Sequence, residues 1–157
     1  MLIRKFEEKD ADTVSKLVGR NLLEVNIKDY PEPDMIEFAA YYNPETIKKV
    51  AEEGNMYVAC EGKKILGCGA VTALNGSEKE SIIVTFFILP EVHGTGVGRK
   101  IIEALEKDEI FLRADRIQVD ASLTSHVFYK KMGYDYCGGI EISCNGEHYK
   151  MEKLKKN

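Results

Sequence analysis

The stretch Phe86-Phe87-Ile88-Leu89-Pro90-Glu91-Val92-His93-Gly94-Thr95-Gly96-Val97-Gly98-Arg99-Lys100 decides how the rest of the chain is read. Its first four residues complete an apolar run from Ser81 (S-I-I-V-T-F-F-I-L) in which Thr85 is the one polar interior residue. Such a run fits a central strand covered on both faces, and Pro90 ends it. Glycines at 94, 96 and 98 then lead straight into a helix. Without a Cβ they let an anion approach the backbone. The first-turn amides of a helix lack internal acceptors and sit at the positive end of its dipole, so together they form an anion site. Arg99 and Lys100 add positive charge at its rim. Three glycines at a helix start cost that helix stability, which weighs against a bare turn.

Two familiar phosphate loops are excluded by spacing. A P-loop needs G-x-x-x-x-G-K followed by Ser or Thr, and the dinucleotide fingerprint needs G-x-G-x-x-G. Here the pattern is G-x-G-x-G.

Working outward, Leu2–Phe6 reads as a first strand, with Asp10 as N-cap of an amphipathic helix over 11–25 that carries Val14, Leu17, Val18, Leu22 and Val25. A second helix is expected over 34–42, and a third from the cap Asn43 and Pro44 to near Gly54. Strands follow at 56–60, 65–74 and 81–89. The helix opened by Gly96 is predicted to run to Leu112, and Ile117, Val119 and Ala121 mark the next strand. A short helix spans 122–132 and closes at Gly133. Two last strands, 134–143 and 147–154, flank the hairpin signal Asn145-Gly146. This order predicts a mixed sheet with helices on both faces, in which 81–121 forms a right-handed parallel crossover.

Composition narrows the class. At 157 residues, one domain over 1–157 is expected. The net charge is −4 with both signs interspersed, and the only dense basic run is Lys153, Lys155 and Lys156, so a nucleic-acid partner is not expected. No run approaches the roughly 20 apolar residues of a membrane span, and the first residues do not form a signal peptide. Cys60, Cys68, Cys137 and Cys144 are widely spaced and lack a C-x-x-C pair. Free thiols in a cytoplasmic protein with no metal are therefore expected.

The turn H-G-T-G-V-G, after a buried strand and a proline, resembles the pyrophosphate loop of the GCN5-related N-acetyltransferase family, with His93 where the family usually has Gln or Arg. A second family feature is V-D-A-S-L-T-S-H-V-F-Y-K-K-M-G-Y over Val119–Tyr134: a strand, a short helix with a tyrosine, then a glycine–aromatic pair. The resemblance implies an α/β fold, with a mostly antiparallel sheet whose parallel strand pair splays at the coenzyme A site. It implies acetyl-CoA as cosubstrate and a primary amine, on a small molecule or a protein, as acceptor. Backbone groups of Phe86, Phe87 and Ile88 would pair with the pantetheine arm, one amide also facing the thioester oxygen as charge develops there. The backbone of Gly94, Thr95, Gly96, Val97, Gly98 and Arg99 would hold the pyrophosphate, and Ser122 would bond the pantetheine.

Tyr129 matches the family's general acid. A leaving thiolate near ~8.5 takes a proton from a phenol near ~10 only through a positioned hydrogen bond. Val127, Phe128 and Met132 look like core, with Tyr129 on another side of the helix. An amine near ~10.4 must lose a proton before it attacks. Glu80 is the first choice of base, with Glu78, Asp120 and His126 as alternatives. Glu24, Tyr30, Glu32, Asp34, Tyr41, Tyr42, Tyr136 and Glu141 give the expected acceptor side an acidic, aromatic character that suits a cationic amine. A non-catalytic acyl-CoA-binding or sensing domain is the alternative. A larger acyl group, an acceptor that is not an amine and a homodimer all stay open.

Overall fold

The computed structural model describes residues 1–155; Lys156, in the basic run named above, lies outside them. Eight strands form one sheet: β1 (Leu2–Lys5), β2 (Asn55–Glu61), β3 (Lys64–Ala73), β4 (Glu80–Ile88), β5 (Arg116–Ala121), β6 (Asp135–Tyr136), β7 (Ser143–Cys144) and β8 (His148–Leu154). Their spatial order is β1-β2-β3-β4-β5-β8-β6, with β7 paired to β8. Among the described residues, only the β4–β5 pair is parallel. The six helices are α1 (Ala11–Glu24), α2 (Glu32–Tyr41), α3 (Pro44–Glu53), α4 (Val97–Leu105), α5 (Glu109–Leu112) and α6 (His126–Lys131).

β4 divides the molecule. Its neighbouring residues Phe86 and Phe87 point to opposite faces, as successive residues of a strand do. Phe86 packs on Phe128 and Tyr129 of α6, and Phe87 packs on Tyr42 at the end of α2. The sheet is therefore covered from both sides there. α1 fills one side with Val14, Leu17, Val18 and Leu22, and α4 adds Ile101, Ile102 and Leu105, all buried.

Several predicted boundaries shift, each for a local reason. Asp10 stands at the N-cap of α1 without capping it. Its carboxylate instead accepts two bonds from Arg4, at 2.8 and 2.9 Å, and one from the Glu7 amide, which together hold its carboxyl below the usual range. Asn43 does cap α3, accepting from the Thr46 amide at 3.0 Å. The helix expected over 96–112 is broken. Buried Asp108 caps α5 through the Ile110 amide and also accepts from Asn55 and Tyr57. A carboxylate that competes for backbone amides ends a helix, and Leu112 is left exposed. The strand expected over 134–143 survives only as β6 and β7, because Gly138 and Gly139 take positive φ between them.

Candidate active site

The turn after β4 is built to leave amides free. Gly94 (φ 77°) and Gly96 (φ 93°) lie in the left-handed region, and a Cβ at either would meet no protein atom within 4 Å. The first bond of α4 runs from the Lys100 amide to the Gly96 carbonyl at 3.1 Å. Among the described residues, the amides of Gly94, Gly96, Val97, Gly98 and Arg99 therefore have no acceptor inside the protein. Thr95 is spent on the turn itself, since both its amide and its hydroxyl donate to the Val92 carbonyl. Gly98 has a different purpose. Its Cβ would stand 3.1 Å from the Phe128 ring, so the missing side chain admits Phe128.

Beside this turn the sheet opens. β4 and β5 pair only from Glu80↔Arg116 to Ile83↔Val119; β4 then continues with β3 alone, and β5 with β8. The cause is visible in β4. Ala70 faces Val84, whereas Cys68 faces Phe87, so β4 carries one extra residue in between. Thr85, buried and β-branched, has φ of 52° there. That is an outlier for such a side chain. Beyond the bulge the Leu89 amide donates to Leu66 on β3. Strand alternation turns the backbone groups of Ile88 and Phe86 the other way, toward the gap. His93 fits this orientation: its Nε2 donates to the Ile88 carbonyl at 2.8 Å. Ser122 follows β5 at the mouth of the gap, where its hydroxyl and that of Ser125 close a turn into α6.

Tyr129 is buried, with Phe86, Phe128 and Tyr134 rings at 5.7, 5.3 and 5.9 Å. Tyr134 in turn donates to Glu106, which also holds Lys153, so the ring behind Tyr129 is fixed. Burial pushes the Tyr129 phenol up, so it stays protonated at neutral pH. Among the described residues its hydroxyl has no hydrogen-bond partner. No fully enclosed side-chain N or O among the described residues lacks a partner, so this oxygen reaches the solvent side. The short helix is turned differently from the sequence expectation. Tyr129 is its buried residue, Phe128 is half-buried against Phe86, and Val127 is 51% exposed.

Glu80 is not brought to this site. It opens β4 and pairs with Arg116 at 3.2 Å, while Arg116 also holds Glu152. Six residues of strand, about 20 Å, separate it from Phe86. The choice of Glu80 as base is corrected accordingly: it belongs to an ion-pair cluster at the opposite end of the strand. Of the alternatives, Glu78 precedes even that end, and Asp120 on β5 accepts from Gln118. His126 is half-buried, stacked on Tyr149 at 4.0 Å and bonded through Nδ1 to the Tyr136 hydroxyl.

The expected acceptor group is split into parts. Tyr41 and Tyr42 contact each other beside Phe87. Tyr136 and Glu141 gather around His126. Tyr30 ties two parts together, accepting from the Leu123 amide and donating to the Glu147 carbonyl. Glu32 and Asp34 are exposed on the first turn of α2. Glu24 is elsewhere, paired with Arg20. The Thr85 bulge and the Tyr30 tie went unread in the sequence, since neither leaves a spacing pattern.

The profile of a family described as "Acetyltransferase (GNAT) domain" matches residues 26–155. Among solved structures, the chain is similar to PaiA N-acetyltransferase from Thermoplasma acidophilum in complex with coenzyme A. The TM-score is 0.82 at 15% identity, over 98% of each chain. A GCN5-related N-acetyltransferase from Rhodopseudomonas palustris gives 0.78 at 22% identity, over 98% of this chain and 95% of that one. Rv2747 from Mycobacterium tuberculosis, solved in complex with CoA, gives 0.70 at 16%, over 99% of this chain and 100% of that one. Among curated proteins, none matches the chain in sequence. At these identities the structural likeness speaks for the fold alone.

Proposed function

The chain belongs to the GNAT acetyltransferase family, and on that footing we propose that it moves an acetyl group from acetyl-CoA to a primary amine. One observation carries this reading. The free amides of Gly94 and of Gly96 to Arg99, open in front because Gly94 and Gly96 have no Cβ, adjoin the unpaired edge of β4 that leads to Tyr129. Unpartnered amides at a helix start suit a diphosphate. An open strand edge suits the amide-bearing arm of coenzyme A. Acetyl-CoA supplies an activated acyl carbon and a thiolate leaving group. On the protein side, the amide facing the gap stabilises negative charge developing on the acyl oxygen. The Tyr129 hydroxyl donates its proton toward the departing sulfur. Ser122 lies at the mouth of the gap and bounds the arm.

The acceptor we favour is a cationic amine, small molecule or protein-borne, drawn by exposed Glu32 and Asp34 and by Glu141. Its proton leaves to water, because Glu80 and Glu78 lie at the far end of β4. A cytoplasmic location accords with four free cysteines and with the lack, among the described residues, of a helix long and apolar enough to cross a membrane.

Incubation with acetyl-CoA and a panel of amines, with detection of free thiol, tests the reading. Thiol release that depends on a cationic amine supports it. Binding of coenzyme A without thiol release from any amine would favour the other reading, a non-catalytic acyl-CoA-binding domain. The pairing of Glu80 with Arg116 at the far end of β4 is the observation on that side.

A further inference from the structure

On the α1 side of the molecule, away from Tyr129, a groove of ≈ 300 Å³ lies between α1 and the β2–β3 turn. Thr13, Lys16, Leu17 and Arg20 line it from α1, the spacing of a single helix face. Lys63, Lys64 and Ile65 line it from the hairpin, and Leu89 and Glu91 from the segment after β4. Its composition is unlike the rest of the protein. The chain as a whole carries a net charge of −4. The groove sets four cations against the single carboxylate of Glu91. Lys16, Lys63 and Lys64 form no ion pair among the described residues. The floor is apolar and packed: Leu17, Ile65 and Leu89 are all buried.

Within the groove, Arg20 already holds a carboxylate. Glu91 accepts from its guanidinium at 2.9 Å. That contact holds the Glu91 carboxyl down to about 2. Glu91 thus shows what the groove does with an anion, using a group the protein itself supplies. Three further cations surround that contact without partners, and solvated like charges so close together repel one another unless an anion sits between them.

We propose that this groove is a second ligand site, one that takes a small organic anion with a phosphate or carboxylate at one end and an apolar body at the other. The cationic rim grips the charged end, with the lysines acting as point charges and the Arg20 Nη1 donor that now serves Glu91 joining them, while Glu24 keeps the other side of the guanidinium. The apolar body lies on Leu17, Ile65 and Leu89. A volume of ≈ 300 Å³ fits a ring-sized molecule and excludes a folded partner. The ligand competes with Glu91 for Arg20.

Backbone amide NMR with phenyl phosphate as the probe tests this, with and without saturating coenzyme A. Saturable shifts are expected at Lys16, Leu17, Arg20 and Lys63 to Ile65 in both cases, weaker with inorganic phosphate and absent with phenol. Lys63→Glu combined with Lys64→Glu, on an exposed turn, should lower phenyl phosphate affinity at least tenfold and leave coenzyme A affinity unchanged. Glu91→Gln should raise phenyl phosphate affinity severalfold by removing the competing carboxylate from Arg20 Nη1, with Glu24 still on the other donors. The proposal is overturned if the groove amides do not move, if shifts appear only at residues 94–99, or if phenol binds equally well. It is also overturned if coenzyme A itself shifts the groove and loses affinity in the Lys63/Lys64 variant. Failure of the acetyltransfer reading would show separately, as loss of the response to coenzyme A at 94–99.

Discussion

The two ends of β4 are made of similar residues and do different work. At its start, Ser81 to Ile83 are paired on both sides, to β3 and to β5, and Glu80 just before them pairs with β5 and is held by Arg116. At its finish, Phe87 and Ile88 are paired to β3 only, and the other edge faces the gap beside Tyr129. One residue separates the two regimes. Thr85, with φ of 52°, inserts the extra residue that turns β4 away from β5. A left-handed β-branched residue costs on the order of 1–3 kcal/mol, and the fully paired end shares in offsetting that cost. The start of the strand therefore holds the sheet together, and the finish is left free to bind.

If that division holds, damage at the finish should abolish function without unfolding the protein. The largest effect is expected from Gly96→Glu. The new side chain places bulk and negative charge where the free amides point, in a left-handed position that only glycine accepts readily. Calorimetric titration should show coenzyme A affinity reduced by about a hundredfold or more. Affinity within a few fold of the parent would disprove the assignment of the turn. Gly98→Glu is a poorer test, because it also collides with Phe128.

Next is Tyr129→Phe. The ring stays packed among Phe86, Phe128 and Tyr134 and only the hydroxyl is lost. Turnover should fall about tenfold to a thousandfold, with coenzyme A affinity little changed. Because burial raises the phenol, the parent's activity should show no descending limb near the ordinary tyrosine value of about 10. A descending limb at or below that value would mean that Tyr129 sits in water.

A smaller effect tests the open edge itself. His93 donates to the Ile88 carbonyl, a group an incoming arm must share or take. The His93→Ala variant removes that competitor, worth about 0.5–1.5 kcal/mol. Coenzyme A affinity should rise about two- to tenfold. Weaker affinity in the variant would show that the ring grips the ligand instead.

Legibility in the sequence follows the same line along the strand. Features carried by local chemistry were readable: Gly94 and Gly96 ahead of a helix, Asn43 and Pro44 at α3, and Asn145-Gly146, both at positive φ in the structure. Features set by distant partners were not. The return of β8 between β5 and β6 leaves no mark on its neighbours in sequence. Thr85 looks like any strand residue until the registers with β3 are counted. A six-residue helix is too short for its periodicity to choose between Val127 and Tyr129 as the buried position. Asp108 falls inside the helix predicted to run to Leu112, and is instead the buried cap that breaks it. The absence of a Cβ at Gly98 also admits Phe128, a second demand that no spacing shows. Glu80 was chosen because it lies in the right strand; the sequence does not say which end of a strand faces the chemistry.

That choice leads to the smallest expected effect and the most direct check on the comparison. Glu80→Gln keeps the shape of the side chain and removes its charge at the fully paired end of β4. The Glu80 side chain is 45% exposed, and Arg116 retains Glu152 at 2.6 Å, so the loss of stability should be about 0.5 kcal/mol or less. Turnover and coenzyme A affinity should stay within about twofold of the parent, because additivity holds between sites this far apart. A tenfold fall in turnover at unchanged melting temperature would mean that Glu80 does serve as the base. The acceptor would then have to reach along the whole length of β4, and the functional division between its two ends would be wrong.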